Sequence, residues 1–189
     1  LQVDPTNSYA LIRVFDSILK VISLDVKRDG IINMYNVRFN ELYTTDVVFI
    51  NSNNSAYLHL AIIYKDRSST NFRSYLLRIK DMELKDGPYG LPCIEEGSTI
   101  ILATNSMEGA VIIGKQTVIL VGSGDCISVS PPALVGEEPI QIACQIGRKK
   151  ASTYLLGDCQ GNLYILSVLK GIKVTRIGSM TFASSMTYL

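Results

Sequence analysis

The chain has 189 residues, of which 47% are apolar and 19% charged, a balance typical of a globular protein with a sizeable core. Its 18 basic and 17 acidic residues give a formal net charge of +1, so no global field draws it to nucleic acid or to an anionic membrane. No apolar run reaches the roughly 18 residues that a membrane span needs, and a membrane partner is not expected.

Short runs rich in Val, Ile, Leu, Tyr and Thr alternate with Gly, Asn, Asp, Ser and Pro, a pattern typical of β-strands and turns. In chain order the predicted strands are YALIRVF, ILKVISL, MYNVRF, DVVFI, LHLAIIY, YLLRI, TIILAT, AVIIG, TVILVG, IQIACQI, TYLLG, NLYILSV, KVTRIG and SMTYL. At most one helical turn is expected, in RFNELY or in SMEG. The sequence therefore predicts an all-β fold.

Four of these strands are each followed by a short turn and a second strand. The resulting hairpins recur along the sequence. The first strands of the four hairpins end near Phe15, Tyr64, Gly114 and Gly157, between 43 and 50 residues apart. A shorter strand precedes three of the hairpins and another follows, which makes units of four antiparallel strands like propeller blades. We expect a partial β-propeller of about four WD40-like blades. The terminal SMTYL is interpreted as the first strand of a further blade, so that residues 1–189 form an internal part of one propeller domain, cut at both ends.

The stretch YLLGDCQGNLYILSV has two interpretations, a phosphate-binding loop or a hairpin turn. A phosphate loop requires a helix behind it, whereas NLYILSV has the composition of a strand. We therefore predict a hairpin in which the strand ends at Gly157 and Asp158 accepts a bond from the amide two residues on. Gly161 supplies a positive φ there. Side chains that are expected to pack between neighbouring blades are Leu155, Leu163, Ile165 and Tyr164.

The other motifs do not indicate a catalytic, metal-binding or cofactor-binding site. Gly109–Lys115 fits G-x-x-x-x-G-K, but Gln116 replaces the required hydroxyl and TVILVG is again a strand, so no nucleotide cofactor is expected. His59, the one histidine, is interpreted as a neutral ring on a strand face. The pairs Glu95–Glu96 and Glu137–Glu138 are expected to be solvated. No catalytic residue, metal site or cofactor is predicted, and an enzyme is not expected.

Several longer segments carry a family resemblance that spans nearly the whole chain. They are DPTNSYALIRVFDSILKVISLD, MYNVRFNELYTTDVVFI, ELKDGPYG, EGAVIIGKQTV, ISVSPPAL, TYLLGDCQGNLYIL and SSMTYL. Together they resemble the first propeller of the damage-specific DNA-binding protein 1 family, the adaptors of cullin-4 ubiquitin ligases. Large propeller subunits of splicing factor 3b and of the cleavage and polyadenylation specificity factor share the LLGD hairpin. The KDGPY turn, the RFNEL run and Pro131–Pro132 resemble the adaptors more specifically.

The resemblance implies a seven-bladed propeller within a non-enzymatic scaffold of three propellers. Its second propeller holds cullin-4, and the first and third clamp the helical docking motif of substrate receptors. Tyr188 matches a tyrosine that contributes to this contact, while Ser184 replaces an acidic residue of the family; an edge-strand aromatic without a partner is the alternative for Tyr188. DNA would be reached only through a receptor, and the protein would be nuclear and cytoplasmic. The alternative function is that of a subunit of an RNA-processing complex.

Overall fold

The computed structural model describes residues 1–24, 33–52, 54–104, 109–122, 124–146, 152–168 and 171–186. In these residues all regular structure is β-strand and no helix occurs, which confirms the all-β prediction. In chain order the strands are β1 Gln2–Val3, β2 Tyr9–Phe15, β3 Ile18–Ser23, β4 Met34–Arg38, β5 Thr44–Ile50, β6 Tyr57–Asp66, β7 Ser69–Arg78, β8 Glu83–Ile94, β9 Ile100–Ala103, β10 Gly109–Ile113, β11 Val118–Gly122, β12 Asp125–Val129, β13 Ile140–Ile146, β14 Thr153–Asp158, β15 Asn162–Ser167 and β16 Lys173–Ser179.

The strands form four sheets of four, and each sheet is built from four consecutive strands in sequence order. The pairings with a resolved register are antiparallel. Central strands such as β10 and β11 are buried along their whole length, because both faces of a central strand are covered. The outermost strand β12 is largely exposed. This arrangement confirms the predicted four-stranded repeat.

The chain divides into two compact units, Leu1–Cys93 with the first two sheets and Ile94–Leu189 with the last two. In the first unit Arg13 Nη1 donates to the carbonyl of Thr44 at 2.5 Å, and Thr44 Oγ1 donates to the carbonyl of Asp16 at 2.8 Å. In the second, the Tyr154 hydroxyl donates to the carbonyl of Ala103 at 2.6 Å. Neighbouring sheets within a unit are therefore tied by side chains as well as by packing. That both units belong to one propeller domain over residues 1–189 stays a prediction.

Each unit has its own hydrophobic core, built from alternate strand residues that face the neighbouring sheet. The first core contains Leu11, Leu19, Val21, Val37, Phe39, Val47, Phe49, Leu58, Leu60, Ile62, Tyr75 and Leu77. The second contains Val111, Ile113, Val118, Leu120, Leu134, Ile140, Tyr154, Leu156, Tyr164, Leu166 and Val168.

The expected packing of the last hairpin is confirmed only for Tyr164, which is fully buried in the second core. Leu155, Leu163 and Ile165 alternate to the other face of the sheet and are only half-buried. The sequence pattern was ambiguous here because apolar residues occupy both faces of these strands, so that the period of two could not assign the core face.

The KDGPY segment is not a turn: Lys85–Tyr89 lie inside β8, the fourth strand of the second sheet. A side chain at Gly87 would collide with the backbone of Ser74 and Tyr75, so glycine permits the close approach of β8 to β7. Ser74 Oγ then donates to the carbonyl of Tyr89 at 3.1 Å and accepts from its amide at 2.9 Å. The Ser74 hydroxyl therefore links β7 to β8, whose pairing the sequence pattern does not indicate.

Other expected turns are also corrected. The segment KDRSSTNF, expected to be the loop between LAIIY and YLLRI, contains only a two-residue turn, because β6 and β7 pair as far as Asp66 and Ser69. RFNELY forms no helical turn in residues 39–43. Residues 106–108 of SMEG and 187–189 of SMTYL lie outside the described residues, as does the basic cluster Arg148–Lys150, and the described residues 185–186 are not in a strand.

Candidate functional site

The turn between β14 and β15 is organised by the carboxylate of Asp158, which is 1% exposed. Asp158 Oδ1 accepts from the amides of Gln160 and Asn162 at 2.9 and 2.8 Å. Its Oδ2 accepts from Asn162 Nδ2 at 2.8 Å and from the Tyr164 hydroxyl at 3.1 Å. Gly161 closes the turn with a φ of 84°. The predicted bond to the amide two residues on and the predicted positive φ are both confirmed.

The electrostatics of this turn fit a structural carboxylate. Burial by itself would raise the pKa of Asp158, but the hydrogen bonds from Asn162, Gln160 and Tyr164 favour the anion and leave the pKa below its ordinary value. Burial, with the nearby Asp158 charge, raises the pKa of Tyr164 to about 12. The amides that a bound phosphate would need already donate to Asp158, and β15 follows instead of a helix. The stretch is a hairpin turn.

The Gly109–Lys115 segment is also a hairpin and not a nucleotide loop. It forms β10 and the start of a turn in which the Gly114 amide donates to the carbonyl of Thr117 at 2.8 Å. Glu95 Oε2 accepts from the Thr117 amide at 2.9 Å and from its hydroxyl at 2.6 Å, and Glu95 Oε1 accepts from the Gln116 amide at 3.0 Å. The expectation that Glu95 is solvated was therefore wrong, whereas Glu96 is exposed.

His59 lies on β6 as expected, 3% exposed, with its ring stacked on that of Tyr89 at a centroid distance of 5.5 Å. Near it, the turn after β1 and the connection after β5 frame a cavity of about 390 Å³. Asp4 shapes this turn, because its carboxylate accepts from the amides of Ser8 and Tyr9 at 2.7 and 2.6 Å. Within the described residues no group of three potential metal ligands converges.

The residues predicted to bind a partner are only partly described. Ser184 is exposed in a non-strand segment after β16. Tyr188 lies outside the described residues, so the pairing of the two positions is not tested. Among the described residues no helix is long and apolar enough to cross a bilayer.

Sequence reasoning missed a second cluster, around Glu41 in the connection between β4 and β5. Glu41 Oε1 lies 2.8 Å from Arg73 Nη1, and the Glu41 side chain is 5% exposed. Burial, followed by interaction with Glu41, raises the pKa of Tyr75. A cleft of about 760 Å³ opens beside Glu41. The available signal was positional: an acidic residue precedes the first strand of the last three sheets, as Glu41, Glu95 and Glu137.

Comparison with known families identifies the family to which this fold belongs. Residues 1–189 match the family model described as RSE1/DDB1/CPSF1 first beta-propeller. The chain belongs to this family. The four sheets are therefore blades, and the fold is a partial propeller of about four blades, as predicted.

Individual relatives agree with this assignment. DNA damage-binding protein 1 of Oryza sativa subsp. japonica is 24% identical over 195 residues, which cover 99% of this chain. DNA damage-binding protein 1b of Arabidopsis thaliana is 24% identical over 197 residues, and DNA damage-binding protein 1 of Solanum lycopersicum 25% over 199, each with 99% of this chain covered. The matched region is 17% of the length of each of these relatives.

Proposed function

We propose that the protein containing this chain is a non-enzymatic scaffold that links substrate receptors to a cullin-4 ubiquitin ligase. The observation that carries the proposal is the match of residues 1–189 to the first-propeller family, together with relatives named DNA damage-binding protein 1. Cullin-4 would bind a part of the protein outside residues 1–189.

The receptor contact is proposed to involve Tyr188. A tyrosine supplies a large contact area with few rotatable bonds and one hydroxyl, which suits a docked helix. By the resemblance, Ser184 stands where the family has an acidic residue, and we propose that the polar half of that contact is weakened here. Receptor specificity in this protein would therefore depend more on apolar contact than on charge.

DNA is proposed to be reached only through a receptor, in repair of ultraviolet-damaged DNA, and the protein would act in the nucleus and cytoplasm. The net charge of +1 over residues 1–189 supports an indirect role for this part of the protein, because direct binding to the phosphate backbone normally depends on an excess of Lys and Arg. No cofactor is proposed for this function.

The alternative is a subunit of an RNA-processing complex, either in splicing or in cleavage and polyadenylation. One observation favours keeping it: the matching family model groups RSE1 and CPSF1 with DDB1. The two functions share the propeller and differ in the assembly that the whole protein joins.

Affinity purification of the full-length protein from nuclear extract, followed by mass spectrometry, distinguishes them. Recovery of cullin-4 with propeller-type receptors is the expected result. Recovery of splicing or polyadenylation subunits without cullin-4 would keep the fold and overturn the proposed function.

A further inference from the structure

The segment that follows β16, residues 180–186, lies against the turn between β14 and β15. It leaves the sheet where Ser179 pairs with Asn162 of β15. The Met180 amide then donates to the carbonyl of Gly161 at 2.8 Å. A Cβ at Gly161 would collide with the carbonyl oxygen of Met180, so glycine is what allows the segment to begin this close to the turn.

At its other end the segment contacts the same hairpin through Met186. The Met186 Cε lies 3.5 Å from the position that a Cβ of Gly157 would take, which is an ordinary van der Waals distance. Ile142 Cγ1 lies 3.0 Å from the same position, so a larger residue in place of Gly157 would displace its neighbours. Two glycines of one hairpin therefore receive the two ends of the segment.

The turn that receives the segment is itself held by hydrogen bonds. The Asp158 carboxylate accepts from residues 160, 162 and 164, as described above. The Asn162 side chain accepts in turn from Arg176 Nη2 of β16. The strand that leads into the segment is thereby tied to the turn on which the segment packs. A support that is fixed in this way leaves the side chains packed on it few alternative positions.

The segment also carries part of the proposed receptor contact. Ser184 lies between the two anchored ends and is exposed. Tyr188 follows Met186 by only two residues, and consecutive Cα atoms are about 3.8 Å apart, so the position of Met186 limits where Tyr188 can lie. Without the contact at Met186 this stretch would sample more conformations, and a receptor would have to restrict them on binding.

We propose that the packing of Met186 on Gly157 positions the receptor contact, because it holds the stretch that leads to Tyr188 in place before a receptor binds. Met186 is then a positioning residue that acts through Tyr188 and does not itself touch the receptor. This inference rests on the proposed function, since it concerns the receptor contact named there. It adds that the hairpin of β14 and β15 supports an interface as well as the fold.

Titration of a purified propeller-type receptor with the full-length protein tests the proposal, the receptor being one recovered by affinity purification. Met186→Ala removes the contact with Gly157 and should weaken receptor binding by about fivefold, because the freed stretch must be ordered on binding. Met186→Leu keeps an apolar side chain of similar volume and should bind like the wild type. Met34→Ala removes an exposed methionine of the first unit and should change nothing.

A double-mutant cycle separates positioning from a purely structural role. In the Tyr188→Ala background, Met186→Ala should cause no further loss of affinity, because the residue acts through Tyr188. The Asn162 amide, which donates to Asp158, should keep its wild-type protection from hydrogen exchange in Met186→Ala. That result would show that the hairpin stays folded while the receptor contact is weakened.

The possible outcomes also separate this inference from the proposed function. Receptor binding that is unchanged in Met186→Ala, or an equal loss in both backgrounds, would overturn the inference and leave the proposed function standing. Lost protection of the Asn162 amide in Met186→Ala would overturn it too, since the residue would then stabilise the hairpin. A wild-type protein that binds no receptor would overturn both.

Discussion

Asp158 illustrates how one residue specifies a turn. Its carboxylate accepts hydrogen bonds from three residues within six positions along the chain, so the turn is held largely by local contacts. Both features of this turn that sequence reasoning predicted, the acceptor at Asp158 and the positive φ at Gly161, depend on local chemistry. Contacts between residues that are close in sequence are the ones that can be predicted most directly from it.

Replacement of Asp158 by Asn should loosen the hairpin of β14 and β15. Hydrogen bonds to a charged group contribute roughly 1.5–3 kcal/mol, so the amides of Gln160 and Asn162 should lose about tenfold or more of their protection from hydrogen exchange at neutral pH. Exchange of the full-length protein measured by mass spectrometry checks this. Unchanged protection would show that the carboxylate does not hold the turn.

The same residue gives the hairpin a pH dependence. The pKa of Asp158 is lowered in the folded protein, so the anion stabilises the fold above the unfolded pKa, about 3.9, and this contribution fades as the pH falls through the folded pKa. Protection of the Asn162 amide, corrected for intrinsic exchange, should therefore decline in that acidic range. The Asp158→Asn variant should lack this decline.

Gly161→Ala should be more damaging than the same change at another glycine of positive φ. At Gly161 a Cβ would collide with the carbonyl oxygen of Met180, in addition to the strain of a φ of 84°. At Gly136, with a φ of 79°, nothing lies within 4 Å of the added atom. Gly136→Ala should cost about 1 kcal/mol and Gly161→Ala clearly more, measured as the loss of amide protection in each turn. Equal losses would contradict the contact with Met180.

Tyr188→Ala in the full-length protein should weaken receptor binding by at least about tenfold, as expected for a buried aromatic at the centre of an interface. Ser184→Ala is the matched control and should change affinity little, because no charge is lost. Titration of a purified receptor with each variant measures both. Wild-type affinity in Tyr188→Ala would place Tyr188 outside the contact.

In each of the last three sheets, a carboxylate in the connection before the first strand contacts a residue of the sheet that follows. Glu41 reaches Arg73 of β7, Glu95 holds the turn between β10 and β11, and Glu137 lies 3.9 Å from Arg176 of β16. Glu41 and Glu95 form hydrogen bonds within the sheet that follows them, and Glu137 forms a longer ion pair within its own. These residues were not recognised from sequence because each partner is more than 20 positions away, and a spacing of that kind does not follow from the pattern of one strand.

Glu95→Gln should loosen the hairpin of β10 and β11, because the charged acceptor for Gln116 and Thr117 is lost. We expect roughly tenfold less protection of these two amides in hydrogen exchange of the full-length protein, equivalent to about 1.4 kcal/mol. Glu96→Gln removes an exposed neighbouring carboxylate and should have no effect. The interpretation fails if both variants behave alike.

The strands themselves were predictable to very different degrees. Hairpins such as β10 with β11 were found because two apolar runs flank a short turn. β8 was missed because Gly87 and Pro88 are typical of turns. In the structure Gly87 serves close packing, and the Ser74 hydroxyl bridges to Tyr89. A packing role depends on the neighbouring strand and is invisible in the strand's own sequence.

For the whole molecule, the repeat of about 43 to 50 residues predicted four-stranded blades, and the family match confirms a partial propeller. The candidate site could be predicted less well from the sequence. The local turn at Asp158 was predicted, but the cleft beside Glu41 is assembled from residues 40–43 and 64–67, two segments that lie apart in sequence. Long-range assembly of this kind requires the fold before its chemistry can be evaluated.

The central claim is that the full-length protein is a cullin-4 adaptor, and direct binding of the purified protein to purified cullin-4 tests it most directly. Analytical size-exclusion chromatography with light scattering would measure complex formation, with cullin-1 as the control. We predict a stable complex with cullin-4 and none with cullin-1. Failure to bind cullin-4, or equal binding to both cullins, would contradict the claim.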